Sequence, residues 1–209
     1  MTDWRAWHAS YDDASTSLAR RLLVVRHRVS EVLASRAPST SLRIASLCAG
    51  DGRDLLPGLA EIDAVTVQAV LIEQDAALAE AARASAEHLG LEGVSVIIGD
   101  AGSTTTLASA LPVDLLLLCG IFGNVSEFDI ATTVAATPVM LRPGGTVIWT
   151  RGSSEPDLRP VIRRWFQDAG LTEVAFDSEP NGFGVGVATL GVGAPRSPRL
   201  PARLFTFIR

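Results

Sequence analysis

The chain predicts an α/β domain built on a mostly parallel sheet with helices on both faces, and three observations carry that expectation. From Leu42 onward, short apolar runs alternate with helical patterns, an order that argues for parallel strands joined by crossover helices. The first run, Ser41-Leu42-Arg43-Ile44-Ala45-Ser46-Leu47, ends in Cys48-Ala49-Gly50-Asp51-Gly52-Arg53-Asp54. Such a small-residue turn lets backbone N–H groups approach a ligand that larger side chains would block. Glu73 closes the next run, 21 residues beyond Gly52, about the interval at which a second strand delivers a carboxylate to a ribose diol. Together they point to a nucleoside cofactor.

The elements follow in order. Leu18 to Leu33 carries apolar residues at Leu18, Leu22, Val25, Val29 and Val32 or Leu33, a helical stripe that starts after Ser15-Thr16-Ser17 and ends before Pro38. Residues 1 to 17 precede it as an aromatic flap with Trp4, Trp7, His8 and Tyr11. Strand one is Leu42 to Leu47 and its helix Arg53 to Glu61; strand two is Val65 to Ile72. Asp75 caps the Ala-rich helix Ala76 to Leu89, which Gly90 stops. Strand three, Val94 to Ile98, runs into Gly99-Asp100, and a weak helix, Ser103 to Ala110, leads to strand four, Val113 to Leu118. Ser126 starts the next helix with Glu127 and Asp129 in its first turn and Pro138 near its end. Arg142-Pro143-Gly144-Gly145 reads as a turn into strand five, Thr146 to Thr150; the helix Pro156 to Ala169 is closed by Gly170, and strand six is Thr172 to Phe176. Phe183 to Leu190 and Leu204 to Ile208 both read as strands, separated by the Pro-rich segment from Ala194 to Pro201. Leu204 to Ile208 is the one expected to complete the sheet.

Bulk properties narrow the function classes. With 209 residues, 47% apolar and 20% charged, the chain suffices for one well-buried domain over residues 41–209, with residues 1–40 as its N-terminal flap and helix. No stretch approaches the roughly 18 uninterrupted apolar residues of a membrane span, and the N-terminus does not read as a secretory signal; a cytoplasmic protein is expected, with no membrane partner. Net charge is -5 and all eighteen basic residues are arginine, a balance without the basic footprint that nucleic acid requires. Cys48 and Cys119 lie 71 residues apart, and His8, His27 and His88 share no ligand spacing with them, so no metal site is expected.

Spacing separates the nucleotide-binding loops. A Walker loop requires lysine, which the chain lacks. A dinucleotide fold wants G-x-G-x-x-G, whereas Gly50-Asp51-Gly52-Arg53-Asp54-Leu55 has leucine at the third position, and Asp51 would face the pyrophosphate. The remaining pattern resembles the class I S-adenosylmethionine-dependent methyltransferases. Laid on their first motif, Ser46 takes the place of the acid, Cys48 that of the first glycine, and Gly50 and Gly52 match the other two; Gly50-Asp51-Gly52-Arg53-Asp54 is similar to the Gly-acid-Gly-Arg-Asp/Asn variant of small-molecule methyltransferases. Ser46 removes a carboxylate that orders this loop in the family.

The resemblance covers roughly residues 40 to 180 and implies the rest of the site. Cys48, Ala49, Gly50, Asp51, Gly52 and Arg53 would cradle the cofactor, with Glu73 and Gln74 at its ribose and Asp100-Ala101 at its adenine. Cys119-Gly120-Ile121-Phe122-Gly123-Asn124 would lie beside the methionine portion, contributing Cys119, Gly120, Ile121 and Asn124. Leu141-Arg142-Pro143-Gly144-Gly145 resembles the turn before strand five. The family's strand order, 3-2-1-4-5-7-6 with the last strand antiparallel, would bring Cys48 and Cys119 near each other at the cofactor, either as reduced space-filling thiols or as an oxidation-sensitive pair. Tyr11 or His8 would reach cofactor or acceptor from the flap.

Methyl transfer is an in-line displacement at an activated carbon, so alignment and exclusion of water dominate the catalytic demand. The Asn/Asp-Pro-Pro-Tyr/Phe signature of amino-methylating nucleic-acid enzymes is absent after strand four, which favours a small-molecule acceptor; no catalytic base stands out. Two other readings stay open: an S-adenosylmethionine-binding regulatory protein without transferase activity, and a nicotinamide-dependent oxidoreductase.

Overall fold

The computed structural model describes residues 11, 13–36, 41–62, 67–193 and 199–208. Helix α1 (Ser17–Ala34) starts where Thr16, in extended backbone, accepts the Ala19 N–H on its hydroxyl, and it buries Ala19, Leu22, Val25, Val29 and Leu33 as one stripe. Strand β1 (Leu42–Leu47) is buried along nearly its whole length, as a central parallel strand covered on both faces must be. The expected helix after the glycine turn shrinks to α2 (Leu56–Ala60), with residues 53–55 as turns ahead of Pro57. Strand β2 (Val67–Glu73) ends on the acidic residue itself. Helix α3 (Ala76–His88) is capped by the Asp75 carboxylate, which accepts from Ala77 N at 2.8 Å and Leu78 N at 3.1 Å.

Strand β3 (Val94–Ile98), the one-turn helix α4 (Thr104–Leu107) and strand β4 (Val113–Leu118) follow as expected, the helix shorter than its pattern. Helix α5 (Glu127–Met140) starts under the Ser126 hydroxyl and passes into β5 (Leu141–Gly152) with no loop between. Residues 142–145, read as a turn before strand five, are an outward bulge within it: Leu141 pairs with Val113, Thr146 with Leu115, and Gly144 takes φ 75° between them. Helix α6 (Arg159–Asp168), strand β6 (Leu171–Ser178) and strand β7 (Phe183–Leu190) complete the order.

The seven strands form one sheet in the order β3-β2-β1-β4-β5-β7-β6. The first four pairings are parallel, and β7 runs antiparallel to both β5 and β6. This is the Rossmann-like methyltransferase fold. The structure corrects the assignment of the last strand, which is Phe183–Leu190 and not Leu204 to Ile208. The reason lies in packing: the Gly-Val-Gly-Val run of β7 leaves room for large neighbours, and a Cβ on Gly186 would overlap the Trp149 indole. Trp149, 1% exposed, stacks on Phe166 with centroids 5.7 Å apart and lies 5.9 Å from Phe176.

Residues 199–208 instead cross the carboxyl edge of the sheet. Their backbone bonds to loops, through Thr104 N to Ala202 O, Leu204 N to Gly102 O and Ile208 N to Asn124 O. Within this segment Leu204 and Phe205 are buried.

Two apolar layers flank the sheet. One, under α1, α2 and α3, includes Val25, Val29, Leu56, Leu71, Ala82 and Leu117. The other, under α4, α5 and α6, includes Leu107, Leu118, Ile130, Val134, Trp149, Ile162 and Phe166. At about 2 kcal/mol for each fully buried aliphatic side chain, these layers hold the strand ends in register. Among the described residues, no helix is long and apolar enough to cross a membrane.

Candidate functional site

The site is built where β1 and β4 diverge, the topological switch point of an open α/β sheet. After Leu47 the chain turns through three left-handed residues at alternate positions: Cys48 at φ 55°, Gly50 at 57° and Gly52 at 76°. Cys48 is the one non-glycine with positive φ among the described residues, so the position matched to a glycine keeps the glycine conformation. Gly52 also needs to be small, since a Cβ there would come within 2.6 Å of Leu56 Cδ1 and 3.0 Å of Leu71 Cδ2.

Several N–H donors of this turn are spent internally. Ala49 N–H goes to Ile72 O and Gly52 N–H to Ala49 O, both at 3.0 Å. Gly50 N–H goes to Glu73 Oε2 at 2.8 Å, and Arg53 N–H to Asp51 Oδ1 at 3.2 Å. The Arg53 guanidinium also grips Asp51, with Nη2 2.6 Å from Oδ2.

Glu73, half-buried, takes a second bond on Oε1 from Asp75 N at 2.8 Å. No arginine pairs with it among the described residues, and Gln74 beside it is exposed. Cys48 sits on the same side, its thiol pushed up by burial first and by Glu73 and Asp100 after that.

Asp100 accepts Gly102 N–H on Oδ1 and Arg203 Nη1 on Oδ2, each at 2.8 Å. Ala101 is buried against the apolar layer. The loop after β4 is fixed from within: Gly120 N–H reaches Thr150 Oγ1 at 2.9 Å, and Asn124 Nδ2 reaches Gly120 O at 2.8 Å. Ile121 is fully buried, so its side chain serves the core.

Tyr11 reaches the opposite side of the turn. Its hydroxyl accepts from Arg21 Nη2 at 2.6 Å, and the Arg53 guanidinium lies 5.0 Å from its ring centroid. Burial raises its phenol above the ordinary value. Trp4, Trp7 and His8 lie outside the described residues.

The structure brings the turn, Glu73, Asp100 and Tyr11 to one edge, and it packs the two cysteines against opposite layers of the sheet. Cys48 packs on the α4–α6 layer and Cys119 on the α1–α3 layer. Cys119 follows the alternation of β4, whereas the left-handed backbone at Cys48 leaves it on the same layer as Leu47 just before it. Burial pushes the Cys119 thiol well up as well.

Sequence reasoning missed two residues. Asp54, the last residue of the quoted motif, has a buried Oδ1 that no donor reaches, and burial raises its carboxyl to about 6. Its place directly after Gly52-Arg53 was the available signal. Arg151 is buried at the carboxyl end of β5, facing Gly123; a Thr-Arg-Gly strand end carries no signal in sequence. A separate cavity of about 240 Å³, lined by Arg43, Gln68, Gly93, Ser95 and Ser109, opens at the amino ends of β1 to β3, the wrong edge for this site.

No family model and no curated protein sequence matches the chain. Solved structures do. An O-methyltransferase family protein from Burkholderia thailandensis superposes with a TM-score of 0.68 at 16% identity, covering 91% of this chain and 61% of its own. The chain thus spans about three fifths of that relative's length. Magnesium protoporphyrin IX methyltransferase from Synechocystis, solved with bound S-adenosylmethionine, gives 0.68 at 14% identity over 91% and 92% of the two chains. A putative sarcosine dimethylglycine methyltransferase from Galdieria sulphuraria gives 0.60 at 11% identity over 84% and 87%. At these identities the likeness is one of fold.

Proposed function

We propose that the chain is an S-adenosylmethionine-dependent methyltransferase acting on a small molecule. One observation carries this reading: the glycine turn has turned its donors inward and surrounded itself with carboxylates. A dinucleotide's pyrophosphate needs open N–H groups and no anions nearby. Here the N–H groups of Ala49, Gly50, Gly52 and Arg53 are already engaged, and Glu73 and Asp54 have no cationic hydrogen-bond partner among the described residues. Such an edge suits a nucleoside that is cationic beyond its sugar. The fold shared with methyltransferases supports the same conclusion.

The residues present fit that group. Glu73 would take the ribose hydroxyls on the lone pairs its two backbone bonds leave, and Asp100 with buried Ala101 would take adenine. The small residues of the turn from Cys48 to Gly52 would let the ligand approach its backbone, while Gly52 is kept small by Leu56 and Leu71 packed beneath it. When bound, S-adenosylmethionine supplies a methyl already activated on a sulfonium. The chain's contribution is to hold the acceptor in line with that carbon and keep water out. Cys119–Asn124 and Tyr11 would do so.

The charge balance favours a small acceptor over a polyanion. Net charge is -5, and the arginines near the site are engaged by Asp51, Asp100 and Tyr11. Titration calorimetry with S-adenosylhomocysteine and with NAD tests the cofactor. Saturable binding of the first and none of the second is expected, with Glu73→Ala weakening it at least about tenfold. Binding of NAD alone refutes the reading. Transfer of labelled methyl from S-adenosylmethionine into a metabolite extract separates an enzyme from a binding protein.

A further inference from the structure

Asp54 stands at the entry to α2, on the α1 side of the turn, with a buried Oδ1 that has no hydrogen-bond donor. A buried polar atom left unpaired costs free energy, and a buried anion costs more unless a cation meets it. The cations nearby are directed elsewhere. From α1, Arg21 donates to Tyr11 Oη and Arg26 Nε donates to Arg53 O at 2.6 Å, while Arg53 itself grips Asp51.

Among the described residues the remaining titratable neighbours add no cation: Asp51 in the same turn, Tyr11 ahead of α1, and Cys119 after β4. The carboxylate is therefore set for a cationic donor that arrives with the ligand.

We infer that Asp54 receives the primary ammonium at the amino-acid end of the bound nucleoside. This rests on the functional reading above. Among the groups of that ligand the choice is forced by chemistry. The sulfonium has no hydrogen to donate, the carboxylate would repel Asp54, and the ribose and adenine lie toward Glu73 and Asp100 on the other side of the turn. The ammonium alone is both cationic and an N–H donor. It would be met between β1 and β4, with Cys119 and Tyr11 as the neighbouring walls. Because Asp54 titrates near 6 when nothing is bound, seating an ammonium on it holds the ionised form and expels a proton at mildly acid pH.

The experiment compares S-adenosylhomocysteine with 5′-methylthioadenosine, which has the same nucleoside and thioether but no amino acid. Titration calorimetry is run on the wild-type chain and on Asp54→Asn. The substitution is expected to weaken S-adenosylhomocysteine about 10- to 100-fold and methylthioadenosine less than about twofold.

At pH 6, titrations in buffers of different ionisation enthalpy should show about half a proton released when the wild type binds S-adenosylhomocysteine. None should be released by Asp54→Asn, or by the wild type with methylthioadenosine. Equal weakening of both ligands, or an unchanged ratio between them, overturns the assignment while leaving the methyltransferase reading intact. Failure of the wild type to bind either nucleoside sinks both.

Discussion

Asp54 shows how a single side chain ties stability to function. Burial raises its carboxyl to about 6 from an ordinary 3.8, so between those pH values the folded chain keeps a proton that the unfolded chain has lost. Its contribution to stability is then full below about pH 4 and is lost as pH rises through 6, by about 3 kcal/mol in all. Asparagine carries no such dependence. Urea denaturation across pH 4 to 7.5 should find Asp54→Asn level with the wild type at the acid end and more stable by up to about 3 kcal/mol above pH 7. A difference that stays flat across that range would contradict the burial. The residue types of the site were legible because turn chemistry is local: Gly50, Gly52 and Glu73 announce themselves by spacing. Asp54 was not, since whether a carboxylate has a partner is decided by α1, β4 and Tyr11, which are distant in sequence.

At the scale of elements, β7 decides how the sheet ends. Its glycines are a packing device: Gly186 lies against Trp149, and Gly184 sits with Arg159 Cδ 2.9 Å and Phe176 Cζ 3.0 Å from where a Cβ would begin. Gly186→Ala should cost at least about 3 kcal/mol by overpacking a core that has no slack. Denaturant unfolding monitored by tryptophan fluorescence would report it, and a loss under about 1 kcal/mol would show that the indole can move aside. By contrast, α1 adds to its buried apolar stripe contacts from its polar face to β6 and the β6–β7 hairpin. Arg28 makes a two-pronged bond to Asp177, Nε at 2.7 Å and Nη2 at 2.8 Å, and Arg20 meets Glu179. Helix and strand existence followed from periodicity, whereas boundaries moved by a few residues wherever proline or a bulge intervened, as at Pro57 and residues 142–145. Periodicity read both Phe183 to Leu190 and Leu204 to Ile208 as strands because both are apolar and short, and the choice of the second to complete the sheet was the wrong one. Only the antiparallel slot beside β5, shaped for glycine, separated them.

Across the whole molecule, residues 199–208 tie together the loops after β3 and β4, the two that would flank adenine and methionine. Leu204 and Phe205 are 0% and 1% exposed, Thr133 Oγ1 donates to Leu204 O at 3.1 Å, and Arg203 fixes Asp100. Ending the chain at Pro198 should therefore lower unfolding free energy by about 4 kcal/mol, from the two buried side chains alone. That is a large share of the roughly 5–15 kcal/mol typical of a domain. It should also weaken S-adenosylhomocysteine binding, because Asp100 and Gly102 lose their backing. Chemical denaturation and calorimetry on the shortened chain measure both; unchanged values would make the segment an ornament of the surface.

The amino-acid sequence by itself determined the alternation of strands and helices, the left-handed turn after β1 and the acid that ends β2, because each depends on residues a few positions apart. Tertiary structure alone decided which apolar segment fills the last place in the sheet, that the two thiols face opposite layers, and that one carboxylate oxygen of the turn is buried without a hydrogen-bond donor. Those outcomes depend on volumes and charges contributed by elements far apart in the chain, and no local pattern encodes the space that remains when such elements meet.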